Sequence, residues 1–175
     1  MYKLPERFNV ELRETFKRTM IITIAMIVEC PVLFLVAYFL VEYAVVSTNP
    51  DFSGENIIKI VFLVVSVIFT LSSIYLKKLA LSPKFHEKAK NLIEVLGKIS
   101  VFTIFMYALG NIPVTLGFVY YILTGNMKIF QLFLILSVIV YVLCLPRFKT
   151  WKDLLLFMVR SKPGFAEKTL ESMSD

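Results

Sequence analysis

Four long apolar stretches interrupt this sequence, and they constrain its fold more than any other feature. A helix of about 20 residues spans the ~30 Å hydrocarbon core of a bilayer, and each stretch is close to that length. The predicted spans are residues 20–41, 57–76, 99–124 and 129–145. Because 58% of the 175 residues are hydrophobic, little chain is left for a soluble domain. The sequence therefore predicts a single all-α membrane domain, a polytopic bundle of four transmembrane helices.

Basic residues are concentrated before the first span, between the second and third spans, and after the fourth. Only Lys59 and Lys128 flank the other two loops. Cytoplasmic loops carry the Lys/Arg excess, so both termini and the middle loop are predicted to be cytoplasmic. The chain is therefore predicted to be a multi-pass membrane protein, located in the plasma membrane if the cell is prokaryotic. This topology accounts for the net charge of +6, so the predicted partner is the lipid bilayer and not nucleic acid.

Three amphipathic segments are predicted outside the spans, at residues 1–19, 82–98 and 150–160. In the first, Phe8, Leu12 and Phe16 recur at a spacing of four, which is typical of a helix on the membrane surface. The second begins at Ser82-Pro83 and either lies along the surface or continues into the third span. The third is a second interfacial helix that ends at Pro163-Gly164, and the polar tail beyond it is predicted to be loosely ordered.

Glu29 stands in the middle of the first span, in the run Val28-Glu29-Cys30-Pro31. An ionised carboxyl at the bilayer centre costs about 2.5–3.5 kcal/mol or more, and no Lys or Arg lies near the middle of a span to pair with it. The carboxyl is therefore expected to be uncharged unless it has a partner. Proline cannot donate a backbone hydrogen bond, so Pro31, and Pro113 in the third span, each free a carbonyl oxygen nearby.

The two halves of the chain show a weak internal repeat. A shift of 82 residues places Glu29 on Asn111 and Pro31 on Pro113. For the second and fourth spans, a shift of 71 residues aligns three pairs of polar or thiol positions: Ser66 with Ser137, Thr70 with Tyr141, and Ser73 with Cys144. Both hairpins enter from the same side, so a true repeat would consist of two parallel helical hairpins.

Depth favours a polar cluster shared by all four spans. At ~1.5 Å per residue, each span has one polar side chain near its own midpoint. These are Glu29, Ser66, Asn111 and Ser137, and the predicted cluster extends to Thr70, Thr115 and Tyr141. Its oxygen ligands suit a proton or a small cation. The same groups equally suit a hydrogen-bonded clamp between helices, in a non-catalytic membrane subunit or an assembly or scaffold protein that binds other membrane subunits or itself.

None of the sequence motifs indicates an enzyme. The sequence has no His-Glu-x-x-His, no Gly-x-Ser-x-Gly, no P-loop and no histidine pair for haem. We therefore predict a protein that is not an enzyme and has no cofactor and no metal centre. The two cysteines lie at different depths and are not expected to form a disulfide, and the single histidine, His86, is predicted to be exposed.

Residues 108–119, from Ala108-Leu109-Gly110-Asn111 to Gly117-Phe118-Val119, resemble the ion-binding helix of rotary ATPase proteolipid (c-type) subunits. The resemblance covers about a dozen residues, and it implies a membrane subunit that binds a proton or a cation in a ring. The family's ion-binding carboxylate falls on Asn111, which cannot titrate, and span two lacks the family's glycines. Glu29 could supply the carboxylate, although the family carries it on the second helix of a hairpin.

Overall fold

The computed structural model describes residues 4, 6–42, 55–162 and 164–171, which form α-helices and one short 3₁₀ helix and contain no strand. The helices are α1 (Glu6–Glu42), α2 (Glu55–Ala80), α3 (Leu92–Thr124), α4 (Met127–Cys144), α5 (Phe148–Ser161) and α6 (Phe165–Glu171), with the 3₁₀ helix at Pro83–His86. The loop predicted between the first two spans lies mostly outside the described residues.

The predicted class is confirmed, because α1, α2, α3 and α4 are each long and apolar enough to cross a membrane. Large apolar side chains on these helices remain exposed, among them Val28, Leu35, Ile60, Val101 and Val142. Soluble monomers rarely expose apolar surface on this scale, whereas a bilayer covers it. The chain is an all-α, multi-pass membrane bundle.

Helix boundaries differ from those predicted at two places. Residues 6–42 form one continuous helix, so the expected interfacial helix at 1–19 runs into the first span without a break. Residues 82–98 do not form one helix, because the 3₁₀ helix is followed by a non-helical link and α3 begins only at Leu92. The start is set by Asn91, whose Oδ1 accepts the Glu94 backbone N–H at 2.9 Å, whereas Ser82 makes no such cap.

Contacts divide the chain into two compact units. The first contains residues 1–23, 76–105 and 146–175, and its core is formed by the apolar faces of α1, α3, α5 and α6. Phe8 and Leu12 are 0% exposed, and Trp151 and Leu155 are also buried. The two segments predicted to be interfacial therefore bury their apolar faces in protein.

The C-terminal tail was predicted to be loose, but residues 165–171 form α6. Phe165 joins the core of the first unit, and Thr169 is fully buried. The Thr169 hydroxyl oxygen accepts the backbone N–H of Leu92 at 3.0 Å, which attaches α6 to the start of α3. Phe165 and Thr169, which are four residues apart on α6, therefore both attach this short helix to the first unit.

The second unit contains residues 24–75 and 106–145. Within it α1 and α3 run in the same direction, because Asn111 contacts Glu29 and, further along both helices, the Tyr121 hydroxyl donates to the Ala37 carbonyl oxygen at 3.0 Å. At the start of α2, Glu55 Oε1 accepts from the Tyr120 hydroxyl at 2.7 Å, and in its second half the Ser73 carbonyl oxygen lies 3.8 Å from Cys144 Sγ. These bonds determine which face of α2 points towards α3 and α4.

Close approach of α3 and α4 depends on two glycines one heptad apart. A methyl group at Gly117 would overlap Phe133 Cβ and lie 2.9 Å from its Cγ, and one at Gly110 would lie 2.8 Å from Val140 Cγ1. Small residues allow membrane helices to pack closely where apolar side chains alone give no driving force. The connecting turn uses Gly125 at a φ of 67°, which favours glycine.

Candidate intramembrane polar site

Glu29 and Asn111 form the centre of the site. Glu29 lies on α1 two residues before Pro31, and Asn111 lies on α3 two residues before Pro113. The Asn111 side-chain amide donates to Glu29 Oε2. Both side chains are partly exposed, so the pair lies at the edge of the α1–α3 seam and not in a sealed interior.

The second carboxyl oxygen of Glu29 is less fully bonded than the first. Thr115 Oγ1 lies 3.4 Å from Glu29 Oε1 and 3.1 Å from the Asn111 carbonyl oxygen. A hydroxyl carries one proton, so it donates to one of these oxygens at a time, and the carbonyl is the nearer. Thr115 is exposed. Glu29 Oε1 is therefore the carboxyl oxygen most open to a further ligand.

Asn111 also carries an unsatisfied acceptor. Its Oδ1 atom is buried and has no hydrogen-bond partner within the described residues. A buried acceptor without a donor is costly in a membrane, where no solvent replaces the missing bond. The site thus holds one open carboxyl oxygen and one unpaired amide oxygen on neighbouring side chains.

Ser137 does not contact Glu29. Its hydroxyl oxygen accepts the backbone N–H of Val114 at 3.0 Å, immediately after Pro113. Proline disturbs the hydrogen-bond ladder of a helix, and in membranes side chains of neighbouring helices often bond the backbone close to such a break. Ser137 is therefore a partner of the α3 backbone.

Tyr141 approaches α1 beside Glu29 and not at it. The Cys30 thiol lies 3.7 Å from the Tyr141 hydroxyl oxygen. The Tyr141 ring stacks on Tyr107 with centroids 5.5 Å apart, and the Tyr107 hydroxyl donates to the Tyr141 carbonyl oxygen at 3.2 Å. The sequence places Cys30 next to Glu29, but nothing in it indicates the contact with Tyr141.

Ser66 and Thr70 are buried on α2, and neither hydroxyl has a hydrogen-bond partner among the described residues. Both lie close to the stripe of α2 that carries Glu55 and Ser73. The cluster predicted to draw on all four spans is accordingly smaller: within the described residues, the hydrogen bonds to the Glu29 carboxyl come from α3 alone. Helical rise predicts that these polar groups share one depth in the membrane. Their partners differ because each helix is rotated differently about its own axis.

His86, predicted to be exposed, is fully buried in the first unit. Its Nε2 lies 2.7 Å from the Ala80 carbonyl oxygen, and its Nδ1 has no partner in the described part of the chain. Burial lowers the pKa of His86 below its ordinary value; the hydrogen bond to Ala80 opposes this and the positive charge of Lys98 adds to it. The ring is therefore neutral at neutral pH, and no spacing pattern in the sequence indicated its burial.

No group of three or more His, Cys, Asp or Glu side chains that could hold a metal occurs in the described residues, and Cys30 and Cys144 are both buried and form no disulfide. In comparisons with protein-family models, curated proteins and solved structures, nothing matches this chain. The functional hypothesis therefore rests on the polar site itself.

Proposed function

We propose that this integral membrane protein binds or relays a proton or a small cation at Glu29. The observation that carries the proposal is the hydrogen-bonded Glu29–Asn111 pair on two membrane-spanning helices. Acidic residues within spans are costly, and those that occur commonly mark ion pathways or proton relays. In the described residues no ion pair involves Glu29.

A proton is the simplest ligand, because Asn111 can serve both forms of the carboxyl. An ionised Glu29 accepts from the Asn111 N–H, which is the arrangement observed. A protonated Glu29 has an O–H to donate, and the unpaired Asn111 Oδ1 is an acceptor for it. A rotation of one amide group would therefore accommodate a proton without moving a helix.

A small cation is the second form of the same proposal. The open ligands are Glu29 Oε1, the Thr115 hydroxyl and Asn111 Oδ1, all of them oxygen. Hard oxygen ligands suit alkali cations better than transition metals. The proteolipid resemblance supports this form, since the position of that family's carboxylate falls on Asn111 and the amide there contacts a carboxyl from another helix.

The alternative function is a non-catalytic membrane subunit or scaffold in which the pair only holds helices together. It is favoured by a second bond between the same helices, from the Tyr121 hydroxyl to the Ala37 carbonyl oxygen. Bonds of this kind in membranes contribute about 0.6–2 kcal/mol each. Under this alternative the exposed apolar surface would contact other membrane subunits or a second copy.

Glu29→Gln distinguishes the two functions, because glutamine keeps an acceptor for Asn111 but cannot titrate. The purified protein is treated with a hydrophobic carbodiimide, which modifies protonated carboxyls, and adducts are located by peptide mass spectrometry. We expect labelling of Glu29 that falls as the pH rises, or that sodium, lithium or potassium suppresses. The Glu29→Gln variant should lose the adduct and keep the melting temperature of the wild type.

Labelling that is constant across pH and unaffected by all three cations would contradict ion or proton binding. Asn111→Leu supplies the matched measurement for the clamp. If the pair is only a clamp, this variant should melt at a lower temperature while Glu29→Gln does not, with no ion dependence in either protein. A cation or proton site instead predicts that Asn111→Leu changes the pH or cation concentration at which labelling is half-suppressed.

A further inference from the structure

The first unit contains a cleft of about 630 Å³ whose polar lining is dominated by lysine. Lys90 from the link before α3, Lys162 after α5 and Lys168 on α6 all line it, together with Ser161 and Phe165. No acidic side chain of the described residues contributes to the lining. Three ammonium groups around one concavity favour an anionic ligand.

The walls of the cleft are attached to a packed core. Phe165 is 4% exposed, and the neighbouring Lys162 ammonium lies 5.4 Å from the centre of its ring. The Lys162 ammonium also donates to the Glu87 carbonyl oxygen. Together with the bond between Thr169 and Leu92, these contacts hold α6 against the start of α3 and the end of α5. The lysines are therefore presented on a fixed frame.

None of the three lysines forms an ion pair with a carboxylate among the described residues. The ion pairs found there are Arg18–Glu14 and Lys98–Glu94, and neither involves the cleft. Lys90 does act electrostatically on the Glu94 carboxylate, but Glu94 already pairs with Lys98, so the lining keeps an excess of positive charge. Like charges facing one cavity repel one another until an anion enters it.

A second cleft of about 550 Å³ adjoins the first and shares Ser161 and Lys162 with it. Its lining combines three apolar residues, Pro83, Phe157 and Met158, with Lys84 and Glu87, and Phe157 is 51% exposed. A lysine-lined cleft beside this apolar group matches a molecule with a phosphate at one end and hydrocarbon at the other. Phospholipids have this chemistry, and the protein spans a bilayer that contains them.

We propose that the lysine cleft binds the phosphate group of an anionic phospholipid headgroup, with the glycerol and upper acyl region lying along Phe157. The phosphate would be held by Lys90, Lys162 and Lys168 as point charges. This site is separate from Glu29 and does not depend on the function proposed there. Bound lipid would act as a specific ligand of this unit, beyond the general attraction of basic segments to a membrane surface.

The test adds increasing amounts of each probe to the purified protein in detergent and measures the bound fraction by native mass spectrometry. The probes are phosphatidic acid, phosphatidylcholine, glycerol phosphate and inorganic phosphate. The test variant is Lys90→Gln/Lys168→Gln, which spares Lys162 because that side chain also bonds the backbone. The matched control is Lys149→Gln/Lys152→Gln, which removes the same charge from exposed positions on α5 outside the cleft.

We expect phosphatidic acid to bind more tightly than phosphatidylcholine. The test variant should weaken its binding about five-fold per lysine, or roughly thirty-fold for the pair, while the control variant changes it little. The Phe157→Ser substitution should weaken the binding of phosphatidic acid but not the binding of glycerol phosphate. If glycerol phosphate binds as tightly as the lipid and the test variant loses both, a phosphate site is still supported and its ligand is a soluble ester.

Two results would overturn the proposal. The first is equal weakening in the test and control variants, which would indicate general surface charge. The second is the absence of binding by all four probes to a wild-type protein that melts cooperatively. Melting temperatures of both double variants within a few degrees of the wild type exclude unfolding as the cause of any loss.

Discussion

Buried hydroxyls of similar depth have different roles in this protein. Ser137 accepts the backbone N–H of Val114, next to Pro113, whereas Ser66 is buried at 0% exposure without a hydrogen-bond partner in the described chain. The two serines were aligned in the internal repeat and lie near the midpoints of their spans. Sequence could place them at one depth because helical rise is constant, but the rotation of α2 and α4 about their axes decided what each one meets.

Replacing these serines should separate the two roles. Ser137→Ala leaves the Val114 N–H without its acceptor, which should cost about 1–3 kcal/mol and lower the melting temperature. Ser66→Ala removes a buried hydroxyl that has no partner, so it should be neutral or stabilising. Melting of the purified variants in one detergent provides the comparison. A larger loss for Ser66→Ala than for Ser137→Ala would show that these hydrogen-bond assignments are wrong.

At the scale of the element, the packing face of a span was the least predictable property. α3 is apolar nearly all round, so periodicity cannot show which side meets another helix. The structure shows that the face carrying Gly110 and Gly117 contacts α4. The glycines were visible in the sequence, but only the positions of Phe133 and Val140 show that neither glycine site has room for a side chain.

Alanine at three glycines of α3 should give three different results. Gly117→Ala should be the most destabilising, by about 1–3 kcal/mol, because the new methyl group overlaps Phe133 next to its backbone. Gly110→Ala should cost less, since its nearest contact is the end of the Val140 side chain. Gly97→Ala is the control: nothing lies within 4 Å, and alanine should stabilise the helix by up to about 1 kcal/mol.

We expect the melting temperature to be highest for Gly97→Ala, lower for Gly110→Ala and lowest for Gly117→Ala. A Gly117→Ala protein as stable as the wild type would mean that α3 and α4 are farther apart than described.

The packing face of the amphipathic segments outside the spans was more predictable than that of the spans themselves. Their apolar faces were identified from spacing, but the burial of Phe8 against α3 and α5 could not be, because a protein surface and a membrane surface select the same pattern.

For the whole molecule, the distribution of charge predicts orientation. Lys and Arg cluster in the N-terminal segment, the middle loop and the C-terminal segment, and the positive-inside rule places these on the cytoplasmic side. A reporter that is active only in the cytoplasm should work when fused after Asp175. The same reporter inserted between Gly125 and Asn126, in the turn between α3 and α4, should be silent.

The paired insertion controls for expression, since both fusions carry the same protein. Activity at Gly125 with silence at Asp175 would reverse the orientation, and activity at both sites would contradict four spans with both ends on one side. The first of these results would place Lys162 and Lys168, which lie in the C-terminal segment, on the non-cytoplasmic side, without changing the ability of the lysine cleft to bind phosphate.

Sequence by itself determined the class of protein and the number of helices that can span a membrane, since both depend on chain length and apolar content, and it predicts the depth of each polar group. It also singled out Glu29 and Asn111, because an acid and an amide at one depth in hydrocarbon need partners. Tertiary structure decided that Thr115 contacts Glu29 while Ser137 bonds the backbone, and that lysines far apart in the chain line one cleft. Those outcomes depend on how each helix rotates about its axis, and a uniformly apolar helix does not encode that rotation locally.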